Sequence, residues 1–206
     1  MPTGEERSTG FPRTIRYTTA PCDLGRVLLA ATGQGICAVS LGDTDTELVQ
    51  RLRTDYPAAE LRRDDLGLSG WRAKLLGHLA GTVRVVNLPL DITGTVFQRR
   101  VWEQLQLIPL GQTQTYQQVA QAIGQPTAAR AVARACAQNP VAVLIPCHRV
   151  LGSDGSLRGY EFGIERKRQL LVQERRLLRQ GGSAGKNAGS RKRTTHHHEG
   201  VHGATG

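Results

Sequence analysis

Cys147 and His148 stand side by side in Ile145-Pro146-Cys147-His148-Arg149-Val150, directly after the apolar run Val141 to Ile145. The run predicts a buried strand, so the pair sits where that strand must emerge. A thiol of ordinary pKa, about 8.5, is only a few per cent thiolate at neutral pH, and an imidazole that takes its proton, directly or through water, raises that fraction. The chemistry indicated is nucleophilic attack by sulfur. His196, His197, His198 and His202 lie in a polar tail, which leaves His78 and His148 for the folded body. One of those two adjoins a cysteine.

An imidazole used in this way needs its second nitrogen held by an acceptor, usually a carboxylate. Between Ile164 and Leu178 the residues Leu170, Leu171, Leu177 and Leu178 mark one apolar stripe of a helix, and Glu174 falls in its middle. A carboxylate buried there needs a partner. Glu174 pairs locally with Arg166, Arg175 or Arg176, or rests at the wet edge of the stripe, or completes a Cys147–His148–Glu174 relay. The adjacent thiol and imidazole favour the relay.

Cys22, Cys37 and Cys136, each among apolar or small residues, read as small buried hydrophobes. The cysteines are irregularly spaced, with no C-x-x-C pair and no close Cys/His set, so no metal site and no cofactor is indicated, and reduced thiols are expected rather than disulfides. No stretch approaches the roughly 18 consecutive apolar residues of a membrane span, and Met1 to Thr14 is polar with no signal-peptide core. These features predict a soluble, cytoplasmic protein with no membrane contact.

The chain has 206 residues, 39% hydrophobic, which suits one two-lobed unit or two small domains. Its net charge of +10 is unevenly spread. Residues 1–96 hold 11 Lys/Arg against 11 Asp/Glu, residues 97–180 hold 12 against 5, and residues 181–206 hold 4 against 1. A cationic C-terminal lobe fits a polyanionic partner, and equally a solvated basic surface, so a motif must decide.

In the first lobe, Arg13 to Thr18, Arg26 to Ala31 and Ile36 to Leu41 predict short strands of a meander, the last two joined through Thr32-Gly33-Gln34-Gly35. Asp43 to Asp55 and Ser69 to Leu79 predict helices, and Val83 to Leu90 an extended segment. Nothing chemically distinctive appears there, so this lobe reads as a scaffold. From Thr95 the pattern is helical, with Phe97, Val101, Leu105 and Ile108 on one stripe that ends at Pro109 and Gly111. Thr115 and Gln118 form a capping box for a helix from Tyr116 to Ile123, Gly124-Gln125-Pro126 stops it, and Thr127 caps the next, Thr127 to Ala137. That last helix carries Arg130 and Arg134 one turn apart among alanines. Two short helices with a glycine turn, the second bearing cations on small residues, spell helix-turn-helix. Such hairpins are also ordinary packing units, but this one runs straight into Cys147.

Here the chain resembles a family. Phe97-Gln98-Arg99-Arg100-Val101-Trp102, Ile108-Pro109-Leu110-Gly111, Thr115-Tyr116-Gln117-Gln118-Val119-Ala120, Ala129-Arg130-Ala131-Val132, Asn139-Pro140, the Cys147 segment and Gly159-Tyr160-Glu161-Phe162-Gly163 resemble, in order and spacing, the O6-alkylguanine-DNA alkyltransferases, over about Arg13 to Glu174. The resemblance implies an α/β N-terminal lobe (13–93), RNase-H-like with a short antiparallel sheet. It also implies a mostly helical lobe (94–180) with a winged-helix-like helix-turn-helix. A disordered start (1–12) and a flexible basic tail (181–206) flank them. The bacterial adaptive-response regulator's N-terminal zinc domain is missing, which implies a stand-alone repair protein without an obligate protein partner.

By the same resemblance Cys147 is the acceptor of an alkyl group from O6-alkylguanine in double-stranded DNA, and by extension from O4-alkylthymine. His148 is the base acting through a water, Glu174 the orienting acid, and Asn139 the brace of the turn. Tyr116 gives a proton to the departing guanine oxygen, and Arg130 fills the base stack. Thr127, Ala129, Arg134 and Gln117 complete the DNA face, with Arg134 standing where many relatives have a small residue. Val150, Tyr160, Glu161 and Phe162 line the base pocket. Two rivals share these residues: a lesion-recognising module without chemistry, against which the presence of Cys147 argues, and a Cys/His hydrolase.

Overall fold

The computed structural model describes residues 13–183. The expected disordered start, and the tail beyond Ser183, lie outside the described residues. Three strands form where the sequence predicts them: β1 (Thr14–Cys22), β2 (Gly25–Ala31) and β3 (Ile36–Gly42), each antiparallel to the next. A fourth, β4 (Glu60–Arg63), pairs in parallel with β1 and gives the order β3-β2-β1-β4. The sheet is therefore mixed rather than antiparallel. Glu60-Leu61-Arg62-Arg63 has one apolar residue, because an edge strand meets solvent on most of its surface, and it carries no periodicity to read.

Helix α1 (Asp45–Asp55) is capped by Thr44, whose hydroxyl accepts from Glu47 N at 3.2 Å. Its Leu48 and Leu52 bury against Ile15, Leu28 and Ala38 on one face of the sheet. Each such side chain contributes about 1.5–3 kcal/mol. Helix α2 (Ser69–Leu79) lies on the other face, where Leu75 and Leu79 join Val27, Leu29 and Val39. Val83 to Leu90, expected to be extended, forms no strand; only Leu90 bridges to Ile36. With Arg84, Val85 and Asn87 exposed, the segment offers no second face to pair.

The two lobes share a core. Val39, Trp102, Val141 and Ile145 belong to one buried cluster, and β3 hydrogen-bonds across the boundary through Val39 N to Pro140 O (2.9 Å) and Ala142 N to Val39 O (3.0 Å). In the second lobe α3 (Val96–Gln106) and α4 (Tyr116–Ala122) each begin with a full capping box, Thr95/Gln98 and Thr115/Gln118. Gly124, at φ +74°, turns the chain into α5 (Ala129–Ala137). The expected cap at Thr127 is not made: Ala128 occupies that position without a side-chain bond, because a turn from Gln125 O to Ala128 N (2.9 Å) delays the helix.

Val141 to Ile145 is a tight turn rather than the expected strand. Val143 sits at φ +72°, and Ile145 N reaches back to Val141 O at 3.1 Å. Helix α6 (Ile164–Ser183) continues through Gly181 and Gly182, past the expected end of the lobe at Gln180. Extending a long helix adds a hydrogen bond per residue without a new nucleus, which offsets about 1 kcal/mol per glycine. No helix among the described residues is long and apolar enough to cross a membrane.

Candidate active site

Asn139, just past α5, explains the turn. Its Oδ1 accepts from Val141 N (3.1 Å), while its Nδ2 donates to Ile145 O (2.8 Å) and lies 3.3 Å from Cys147 Sγ. One buried side chain thus shapes the 141–145 turn and touches the thiol that follows it. A β-branched residue at positive φ costs on the order of 1–3 kcal/mol, and these bonds hold Val143 there. Trp102 Nε1 donates to Ala135 O at 2.9 Å and fixes α5 against α3. Cys147, His148 and Arg149 then form one 3-10 turn, all three buried.

Glu174 accepts from three residues. His148 Nε2 lies 2.8 Å from its Oε1, Arg149 grips it bidentately (2.8–3.0 Å), and Gly111 N reaches Oε2 at 2.9 Å. Arg149 also donates to Ile108 O (2.6 Å). Burial alone raises the Glu174 carboxyl pKa, but the His148 and Arg149 bonds outweigh it and bring it down to about 2. Burial holds His148 below its usual value, against the pull of Glu174, so the ring is neutral at pH 7. A neutral imidazole facing a carboxylate through Nε2 carries its hydrogen there, which leaves Nδ1 as a lone-pair acceptor. That Nδ1 is buried and unpartnered.

Burial pushes the Cys147 thiol up, opposed by the Asn139 amide and by the charge of Lys167. The resting sulfur is thus a protonated thiol, where proximity to His148 predicted an enlarged thiolate fraction. Desolvation by burial outweighs a neutral imidazole, so attack by this sulfur would require its proton to leave first.

Cys147 borders a cavity of about 1120 Å³ between α5 and the segment 152–161. Of the expected residues, Tyr116, Gln117, Ala129, Arg130, Tyr160 and Glu161 also border it. Burial raises the Tyr116 phenol to about 12, keeping it a proton donor at neutral pH. His148, Glu174 and Asn139 support the wall from behind, and Thr127 and Arg134 are exposed outside it. Two expected pocket residues do not line it. The Val150 side chain is turned into the core, and Phe162 packs edge-on beneath Tyr160 at 5.6 Å between ring centroids.

The supposed scaffold lobe reaches this wall. Arg51, from α1, pairs with Glu161 (2.8 Å) and lies 5.1 Å over the Phe162 ring, and Arg166 ties Leu24 O (2.8 Å) to Phe162 O (3.0 Å). The sequence reading also missed Arg149 and Lys167. The Lys167 ammonium, 1% exposed as a residue, donates to Val150 O (2.7 Å) and Leu157 O (2.6 Å), clamping both ends of the 150–157 loop. Its spacing of seven from Glu174, through Leu170 and Leu171, was the available signal.

Fold and site define a two-lobed protein in which a thiol, an imidazole and a buried carboxylate follow one another, the thiol bordering a cavity beside a helix that carries Arg130 and Arg134. Residues 15–92 match 6-O-methylguanine DNA methyltransferase, ribonuclease-like domain, and residues 96–176 match 6-O-methylguanine DNA methyltransferase, DNA binding domain. The chain belongs to the 6-O-methylguanine DNA methyltransferase family. It is 47% identical over 168 residues to the Escherichia coli bifunctional transcriptional activator/DNA repair enzyme Ada, covering 82% of this chain and 48% of Ada. The chain thus spans about half the length of that relative. It is 38% identical to a Mycolicibacterium paratuberculosis methylated-DNA--protein-cysteine methyltransferase, over 79% of this chain and 93% of the relative. The crystal structure of Mycobacterium tuberculosis OGT in complex with DNA superimposes with TM-score 0.67 at 37% identity, covering 80% and 94% of the two chains. A sheet-containing N-terminal domain and a helical C-terminal DNA-binding domain are the architecture of the family.

Proposed function

We propose that this chain repairs duplex DNA by direct reversal, moving the alkyl group of O6-alkylguanine onto its own Cys147 once and irreversibly. The observation that carries the reading is a cavity-lining thiol next to an imidazole whose far nitrogen is held by a buried carboxylate. The names of the relatives support it. The hairpin of α4 and α5 acts as a helix-turn-helix on an RNase-H-like partner lobe, and the protein works on DNA in the cytoplasm.

The target oxygen is inaccessible inside a duplex, so the nucleotide must rotate out, at a few kcal/mol. Docking through α5 sets Arg130 to fill the vacated stack, with Thr127, Ala129, Gln117 and Arg134 on the backbone. His148 Nδ1 takes the thiol proton, directly or through one water, and Glu174 stabilises the imidazolium. Sulfur attacks the alkyl carbon, the carbon–oxygen bond breaks, and its electron pair passes to the guanine. Tyr116 neutralises the developing anion by giving up its proton, which returns through solvent from His148. Asn139 keeps the sulfur aimed. The product is a thioether that nothing here can cleave, so each chain reacts once. O4-alkylthymine presents the same kind of bond, an alkyl carbon on an exocyclic base oxygen, with thymine as the group that leaves.

The test is stoichiometry. Duplex DNA bearing isotope-labelled O6-methylguanine in excess should label the protein to a plateau of one methyl per chain, leaving guanine behind. Continued turnover, or no label on protein that binds the duplex, overturns the reading.

A further inference from the structure

The cavity has two unlike walls. One is built by α4 and α5, including Tyr116, Ala129 and Arg130; the other is the segment from Gly152 to Glu161. If α5 is the docking element, as the proposed function holds, a duplex rests on the first wall, and only what leaves the duplex reaches the second. An everted nucleotide brings its own phosphates along. The second wall carries two charged side chains that border the cavity, Arg158 and Glu161, and Arg51 holds Glu161 at 2.8 Å.

Arg158 is built into that wall in an unusual way. Its backbone sits at φ +52°, a region that costs a non-glycine residue on the order of 1–3 kcal/mol and that persists only where the surroundings impose it. The loop does impose it. Gly152 N donates to Ser156 O and Gly155 N to Gly152 O, both at 2.9 Å, and Lys167 holds Leu157 O at 2.6 Å. The side chain folds back over Gly152, so closely that a Cβ at that position would lie 2.6 Å from Arg158 Nε. A side chain at Gly152 would push the Asp154, Ser156 and Arg158 side chains from these positions. The guanidinium is parked on Asp154 Oδ2 at 3.1 Å, with both side chains more than half exposed. Such a pair is worth about 0–1 kcal/mol, so a phosphate replaces the carboxylate at little cost.

We propose that Arg158 is a DNA-binding residue that engages the phosphate of the everted nucleotide, on the lip of the cavity opposite Arg130, by exchanging its Asp154 partner for that phosphate. It grips the lesion-bearing strand after rotation and contributes nothing to the initial docking of the duplex. The strained backbone keeps the guanidinium at the mouth before the nucleotide arrives.

The experiment measures equilibrium binding in the Cys147→Ser background, which stops transfer, on two duplexes that differ only in O6-methylguanine against guanine. Arg158→Ala should weaken binding of the lesion duplex about five- to tenfold and lower its salt slope by about one contact, leaving the unmodified duplex unchanged. Arg158→Lys should recover most of the loss. Arg158→Gly, which is at ease at positive φ, should reproduce the alanine result and separates lost charge from a disturbed loop. Equal weakening of both duplexes, or none, overturns the proposal. Methyl transfer by the unmutated protein is scored separately, so failure of the proposed function is distinguishable from failure of Arg158.

Discussion

Glu174→Gln keeps the shape of the side chain and removes one charge from a buried cluster. Arg149, 8% exposed, would then be a cation without a counter-ion, and breaking a buried pair in this way costs about 3–5 kcal/mol. The proton balance gives a similar figure. Burial opposes the Glu174 charge, yet the His148 and Arg149 bonds hold its pKa at about 2 against the usual 4.5, worth about 3 kcal/mol at neutral pH. For a domain of this size that lowers the melting temperature by on the order of 10 °C. The chemical effect is larger. A glutamine amide can donate to His148 Nε2 and drive the ring hydrogen to Nδ1, so the lone pair that should receive the thiol proton is lost. Catalytic triads disabled by the same tautomer error slow by up to about 10⁴-fold. Calorimetry on the variant, with single-turnover methyl transfer below its melting point, tests both numbers. A variant that melts within about 2 °C of the parent and transfers within about threefold of its rate refutes the reasoning.

The same carboxylate sets an acid limit. A depressed folded pKa gives stability that is complete above the unfolded value of 4.5 and drains as pH falls toward about 2. Denaturant melts between pH 6 and 2 should show this loss in the parent and not in Glu174→Gln. Tyr116→Phe removes the proton for the leaving guanine, and transfer should slow about 10²–10⁴-fold with lesion binding unchanged, read by single-turnover kinetics beside anisotropy. Arg51→Leu frees the Glu161 carboxylate at the cavity mouth. Stability should change by less than about 1 kcal/mol, whereas DNA affinity should fall several-fold at low salt and recover in Glu161→Gln/Arg51→Leu.

What was legible in the sequence follows physical lines. Helices that announce their own ends, such as α4 behind Thr115 and Gln118, form where side-chain chemistry predicts, because capping is local. Strand β4 was invisible because its pairing with β1 is a contact between residues about 46 apart, and its own sequence is mostly charge. The 141–145 turn misled for the opposite reason. A run of apolar residues satisfies both strand and buried turn, and Asn139, outside the run, decides between them. At the site, Glu174 could be placed beside His148 because a carboxylate on an apolar stripe demands a partner. Arg149 shares that carboxylate from the residue next to His148, and adjacency in sequence does not say which side chain turns inward. Val150 and Phe162 show the same limit: both are adjacent to the cavity along the chain and face away from it. Arg51 reaches Glu161 across 110 residues, which no local pattern encodes.

Peptide mass mapping after incubation with O6-methylguanine duplex tests the central claim most directly. The account predicts one added methyl, on the peptide containing Cys147, with Cys22, Cys37 and Cys136 unmodified. A methyl on any of those three, or an unmodified Cys147 in protein that has bound the duplex, contradicts it.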